Sequence, residues 1–324
     1  MVITHIIGNG FDINQGLKTS YKDFYRDYYL KQDSSESVID ELKSAISGDI
    51  ENWSDLELAI GKYTAHIASV EDLDIVMSDL QENLANYIAE IDSKQHTVEK
   101  KSADEIRQDL ISPYRHLKAR EIESFNTLKM NFGNVSDVNV LSFNYTSTLE
   151  KILQLDNGRM LGADGNSKPI LRKMTYIHNS IENKGSIVLG VDNPLQIENQ
   201  AFQKDNIAQL YLVKPKIIEN AGALNEREAL RKLEQANVIS IFGVSLGETD
   251  TTWWKAIGHA VNSSPSRCLI YYNFDLKNQS NINRQLASEA RLKTRIVELL
   301  EIRDSTRVFV KQHDGSLMFK KAFL

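Results

Sequence analysis

After Met1 the chain runs Val2-Ile3-Thr4-His5-Ile6-Ile7-Gly8-Asn9-Gly10-Phe11-Asp12 and continues through Gly16-Leu17-Lys18-Thr19-Ser20-Tyr21. An apolar run that ends on two closely spaced glycines constrains the fold more than any other feature. It reads as a buried strand, a tight loop and then a helix. Gly8 and Gly10 let the backbone turn sharply and approach a neighbour or ligand closely. Thr19 or Ser20 is placed to cap a helix whose apolar face holds Tyr21, Phe24, Tyr25 and Tyr28. The third position after Gly10 is Ile13, so the Gly-x-Gly-x-x-Gly dinucleotide fingerprint is not met. Two readings stay open: a phosphate cradle of another spacing, or a plain strand-to-helix turn.

Further along, apolar residues recur at helical spacing from 35 to 131. Val38, Ile39, Leu42 and Ile46 are followed by Leu56, Ala59, Ile60 and Tyr63, then by Leu73, Val76, Met77, Leu80, Leu84 and Ile88. A helical stretch from Asp104 to Met130 ends at Asn131-Phe132-Gly133-Asn134. Strand-like runs then return at Val138–Phe143, Thr175–His178, Ile187–Leu189, Val238–Phe242 and Leu269–Tyr272. Near-continuous apolar strands separated by helices imply an α/β fold, a Rossmann-like parallel sheet flanked by helices. Residues 1–34 and 132–324 are expected to form that α/β domain, and 35–131 an α-helical insertion after the first βα unit.

Ligands of such sheets bind beyond the carboxyl ends of the strands. Those ends carry Gly8-Asn9-Gly10, Asn144-Tyr145-Thr146, His178-Asn179, Gly190-Val191-Asp192, Gly243-Val244-Ser245-Leu246 and Asn273-Phe274-Asp275. Glycine or a polar residue stands at each of them.

A net charge of −6 argues against broad binding to a nucleic-acid backbone, which needs clustered surplus Lys and Arg. The single cysteine, Cys268, opens an apolar run and reads as a buried thiol; it excludes intrachain disulfides and a multi-thiolate metal site. No metal is expected. No window approaches the roughly 18 uninterrupted apolar residues of a membrane span, so no membrane partner is expected and the cytoplasm is the default location. A nuclease lacks an evident carboxylate cluster for two metals.

Taken in order, the strand-end motifs resemble those of the sirtuin-like NAD-binding fold. Gly8-Asn9-Gly10-Phe11-Asp12-Ile13-Asn14-Gln15-Gly16-Leu17-Lys18 is similar to its Gly-Ala-Gly loop, Ser142-Phe143-Asn144-Tyr145-Thr146 to Thr-Gln-Asn-Ile-Asp, and His178-Asn179 to His-Gly. Gly243-Val244-Ser245-Leu246 is similar to Gly-Thr-Ser-Leu, and Asn273 to the asparagine closing the next strand. A closer resemblance, to the phage abortive-infection AbiH family, rests on Ile7-Gly8-Asn9-Gly10-Phe11-Asp12, Gly16-Leu17-Lys18-Thr19-Ser20-Tyr21, Phe143-Asn144-Tyr145-Thr146 and Ser245-Leu246-Gly247-Glu248-Thr249-Asp250, with Trp53-Ser54-Asp55-Leu56-Glu57 between them.

These resemblances imply an antiviral effector that binds NAD or a related nucleotide and hydrolyses the nicotinamide–ribose bond when triggered. Asn144 and His178 would be catalytic. Gly8, Asn9, Gly10, Asp12, Gly243, Ser245, Leu246 and Asn273 would bind the nucleotide. A phage-encoded trigger protein and a homo-oligomer are the further partners implied. The alternative is a non-catalytic nucleotide-binding sensor that recognises a phage component. Thr146 and Asn179 depart from the sirtuin pattern, and the missing cysteines rule out its zinc module, so protein deacylation is not expected. Other readings of single residues also stand: His178 as a core histidine, Asn144 as a helix cap, and Asp250 with Thr251 as a helix start. Asp12 sits where a diphosphate loop favours a neutral residue, unless it receives ribose hydroxyls.

Overall fold

A computed structural model describes residues 1–30, 36–94, 96–154, 160–181, 187–222, 224–274 and 281–324. Its centre is a seven-stranded sheet, parallel throughout: β1 (Val2–Ile7), β2 (Asp137–Ser142), β3 (Ile170–Leu171), β4 (Thr175–Tyr176), β5 (Val238–Phe242), β6 (Cys268–Phe274) and β7 (Val308–His313). The order is β3-β2-β1-β5-β6-β7. β3 pairs with Asp137 and Val138 and β4 with Leu141 and Ser142, so the two short strands lie end to end as one interrupted edge.

The helices are α1 (Gly10–Asn14), α2 (Tyr21–Leu30), α3 (Ser37–Gly48), α4 (Leu56–Tyr63), α5 (Val70–Ser93), α6 (Lys100–Ile111) and α7 (Ala119–Lys129). After β2 come α8 (Thr148–Leu153), α9 (Asn206–Leu212), α10 (Lys214–Asn220), α11 (Leu224–Gln235), α12 (Thr251–Asn262) and α13 (Ile282–Leu299).

Strand alternation sorts the apolar side chains onto two faces. Ile3, Ile7, Val140, Val238, Phe242 and Ile270 join a core with Ile106 and Leu110 of α6, Phe125 of α7 and Ile152 of α8. Ile6, Leu141, Ile239, Ile241, Leu269 and Val310 join another with Leu233 of α11, Trp254 and Ile257 of α12 and Ile296 of α13. The chain therefore steps from β1 to β2 and β3 under helices on one face, returns beside β1, and steps from β5 to β7 under helices on the other. That is the doubly wound pattern that right-handed crossovers produce, and its direction reverses between β1 and β5.

The helices of 35–131 divide between two cores. Those of α3, α4 and most of α5 pack with Phe24, Tyr25 and Tyr28 of α2 and with Ile187, Leu189, Val191, Phe202 and Leu212, whereas α6 and α7 lie on the sheet. The segment Ile187–Leu189, expected as a strand, is not one. Its apolar side chains are buried by helices, and Val188 N–H donates to His178 O at 3.0 Å. The expected continuous helix from Asp104 to Met130 breaks at Ser112-Pro113. Proline forces the residue before it out of the helical region, and Ser112 stands at φ −135°, ψ 62°. Asp275 lies outside the described residues.

Candidate functional site

The loops after β1 and β5 meet along a seam of three glycines. A Cβ on Gly8 would lie 2.6 Å from Gly243 O, and one on Gly10 would lie 2.6 Å from Gly243 Cα. Gly243 itself takes φ +71°, and a Cβ there would fall 2.6 Å from Phe11 N. Gly8 N–H donates to Phe242 O at 3.0 Å and Gly10 N–H to Gly243 O at 2.8 Å. The amides a phosphate cradle would present at these two positions are thus engaged by the neighbouring loop. Asn9 ties the seam to α2: its Nδ2 donates to Thr19 O (2.8 Å) and its Oδ1 accepts from Thr19 Oγ1 (2.5 Å). Ser20 rather than Thr19 caps α2, accepting from Asp23 N–H at 3.2 Å.

Above the seam opens a cavity of about 750 Å³. Its wall includes Gly8, Asn9, Gly10, Asp12, Asn144, His178, Gly243, Ser245, Leu246 and Asn273, so all ten residues singled out in the sequence are brought to one space. The volume suits a small organic ligand, for which sites of roughly 300–1,000 Å³ are usual. Leu246 holds φ +53°, a left-handed conformation that costs a non-glycine residue on the order of 1–3 kcal/mol.

Several buried polar atoms on this wall have no partner among the described residues. Those without a hydrogen bond and without a nearby charged partner are Asp12 Oδ1, Asn144 Oδ1 and His178 Nδ1, on residues only 1%, 7% and 5% exposed. An unpaired buried polar group costs on the order of 1–3 kcal/mol, so these atoms are places where a water or another polar group would be accommodated favourably. Asp12 Oδ2 accepts from Thr146 Oγ1 at 2.6 Å, and Thr148 Oγ1 donates to Thr146 Oγ1 at 3.0 Å. Burial pushes the Asp12 carboxyl up to about 6, against the opposing effect of the Thr146 hydroxyl. Asn144 does not cap α8; Asp92 does the tying there, accepting from Ser147 N–H at 3.0 Å and Ser147 Oγ at 2.9 Å. His178 sits edge-on to Phe143, with ring centroids 5.3 Å apart.

Beside His178 lies a charge cluster that sequence reasoning did not find. Lys214 Nζ, almost fully buried, is 2.7 Å from Glu57 Oε2 and 2.8 Å from Asp250 Oδ1. His178 Nε2 comes within 3.2 Å of the same Asp250 oxygen, close enough for an ion pair but off the line of a hydrogen bond. Burial acts to raise the Asp250 carboxyl, but Lys214 and His178 outweigh it and hold it below the usual carboxylate range. Burial raises Glu57, against the pull of Lys214. Burial opposes the charge on Lys214, yet Glu57 and Asp250 keep it firmly protonated.

Asp250 stands at the N-cap of α12, as its helix-start pattern implied, but its carboxylate is not spent there. Asp192 supplies the cap instead, accepting from Thr252 N–H at 3.1 Å. The available signals were indirect: Glu57 closes the Trp53–Glu57 motif, Asp250 looked like a cap, and Lys214 carried none.

Fold and site together define an α/β protein of the doubly wound class with a polar cavity at its switch point. No helix among the described residues is long and apolar enough to cross a membrane, and no group of three or more His, Cys, Asp or Glu side chains among them is arranged to hold a metal. The family model described as Bacteriophage abortive infection AbiH matches residues 4–272, and the chain belongs to that family. Membership assigns it to abortive-infection defence against phage. No curated protein matches the chain.

Proposed function

We propose that this protein is an abortive-infection effector whose cavity binds NAD or a related nucleotide and, when triggered by a phage component, hydrolyses the nicotinamide–ribose bond. One observation carries this reading. Asp12, Asn144 and His178, from three separate strand ends, line one cavity at the switch point of the sheet, and Asp12 Oδ1, Asn144 Oδ1 and His178 Nδ1 have no hydrogen-bond partner among the described residues. The likeness to sirtuin strand-end motifs supplies the reaction. Asn179 takes φ +63°, and asparagine is among the few residues other than glycine that accept that conformation, so its departure from the His-Gly pattern is a conservative one.

In this reading water attacks C1′ of the ribose while the C–N bond breaks and its electron pair passes to the nicotinamide nitrogen, neutralising the ring as it leaves. His178 accepts the proton of the attacking water, held in orientation by Asp250 on one side and Phe143 on the other. Asn144 and Asp12 supply acceptors for sugar hydroxyls, which fixes the ribose before the charge develops. Purified protein incubated with NAD should release nicotinamide, alone or with extract of infected cells, and His178→Ala and Asn144→Ala should abolish both release and protection from phage. Full protection by both variants, with NAD left intact by the wild type, would sink the proposal. Calorimetric binding of NAD without release would point to a nucleotide sensor instead.

A further inference from the structure

The cavity wall is electrically lopsided. It holds four carboxylates, Asp12, Asp55, Glu57 and Asp250, against a single guanidinium, Arg295 of α13. Glu57 and Asp250 are partly offset by Lys214, which both contact. Arg295 has no ion-pair partner among the described residues. Glu57 and Asp250 gather around His178, which follows β4 on the β2 side of the sheet, whereas Arg295 reaches the wall beside Tyr271, Asn273 and Phe274 of β6. With β2, β1 and β5 between them, β4 and β6 are four strand spacings apart, about 19 Å at roughly 4.8 Å per spacing.

We infer that Arg295 forms an anion subsite at the β6 end of the cavity, taking a phosphate of the ligand, while the carboxylate-lined end beside His178 takes a neutral or cationic head. This rests on the nucleotide reading of the cavity and sharpens it. The amides of Gly8 and Gly10 are given to Phe242 O and Gly243 O, which leaves the guanidinium as the cationic group on the wall for an anion. A guanidinium binds phosphate through two parallel hydrogen bonds, and Asn273 of β6 also lines the cavity to add a polar contact. At the far end a second anion would be repelled by Glu57 and Asp250, so only one orientation of an extended phosphate-bearing ligand is favourable.

The test is calorimetry on the full chain with NAD, ADP and nicotinamide riboside, comparing wild type with Arg295→Glu. Arg295 is exposed, so the charge reversal leaves the core untouched, and an unchanged melting curve verifies that. The expected result at about 0.05 M salt is a loss of at least tenfold in affinity for NAD and ADP, with nicotinamide riboside, which has no phosphate, bound as before. The loss should shrink as salt is raised. Equal binding of NAD and ADP by both proteins overturns the anion subsite and leaves the proposed function standing. Arg295-dependent binding of ADP by a wild type that neither binds NAD nor releases nicotinamide keeps the subsite and overturns the proposed reaction. A wild type that binds none of the three overturns both.

Discussion

Asp250 Oδ1 is shared between the Lys214 ammonium, 2.8 Å away, and His178 Nε2, 3.2 Å away. One carboxylate oxygen thus joins a buried structural ion pair to the imidazole at the cavity wall, and the stability and chemistry of the site are coupled through it.

Removing the ammonium of that cluster leaves two buried carboxylates without their cation, whereas neutralising all three members does not. Lys214→Met, which strands Glu57 and Asp250 together, should cost about 3–5 kcal/mol. The triple variant Glu57→Gln, Lys214→Met, Asp250→Asn should cost clearly less than Lys214→Met alone. Urea denaturation of the two variants decides it; costs that simply add would contradict the geometry.

Asp12 should be held at the expense of stability. Its carboxyl is pushed up to about 6 in the fold, so the folded chain retains a proton that the unfolded chain releases near its ordinary 3.8. The associated stability is full below the lower value and is lost as pH rises through the upper one. Asp12→Asn, permanently neutral and still able to accept from Thr146, should match the wild type near pH 4 and exceed it by roughly 2–3 kcal/mol at neutral pH. A stability difference that does not change between the two pH values would refute this.

His5 works in the opposite sense. Its ring, fully buried and bonded through Nε2 to Leu110 O at 2.9 Å, is lowered to about 4 by burial. The unfolded chain takes up that proton near 6.5 and the folded chain only near 4, so the stability is present above the upper value and is lost as pH falls through this window. Asp12 and His5 therefore offset each other between about pH 4 and 6. The Asp12→Asn variant should reveal a steeper loss of stability on acidification than the wild type, measured by thermal melts across that range.

Gly243→Ala should cost several kcal/mol, because it combines a left-handed φ with a Cβ 2.6 Å from Phe11 N. Gly48→Ala, at the end of α3 with nothing within 4 Å, is the matched control and should be neutral or slightly stabilising. Equal costs for the two would contradict the seam.

Cys268 should be inert in the native state. Burial raises its thiol to about 12, and the side chain is enclosed in the sheet core. A thiol reagent at pH 8 should label the protein only as fast as it unfolds; rapid stoichiometric labelling of the folded chain would exclude this.

Sequence periodicity found the strands that are apolar on both faces. β1, β2, β5 and β6 stand within a residue or two of their expected limits, because a doubly covered strand must be apolar nearly throughout. β7 was not recognised. Only Val308-Phe309-Val310 is apolar in it, and Lys311, Gln312 and His313 hide the rest. Ile187–Leu189 failed for the converse reason: an apolar run records burial, not whether a sheet or a set of helices does the burying. Residues at strand ends were legible because glycine, asparagine and histidine break the apolar pattern there. The cluster of Glu57, Lys214 and Asp250 was not, since Asp250 reads as a helix start and Lys214 as an ordinary surface charge until folding carries three distant segments to one point.

The glycine seam separates scaffold from chemistry. Gly8, Gly10 and Gly243 spend their closeness on one another, so the two loops are fixed by backbone alone, while the groups that face the cavity are side chains such as Asp12, Asn144 and Ser245. The chemistry of the wall is therefore set independently of the frame that holds it. Exchange of a side chain on the cavity wall leaves the hinge-free mount unchanged.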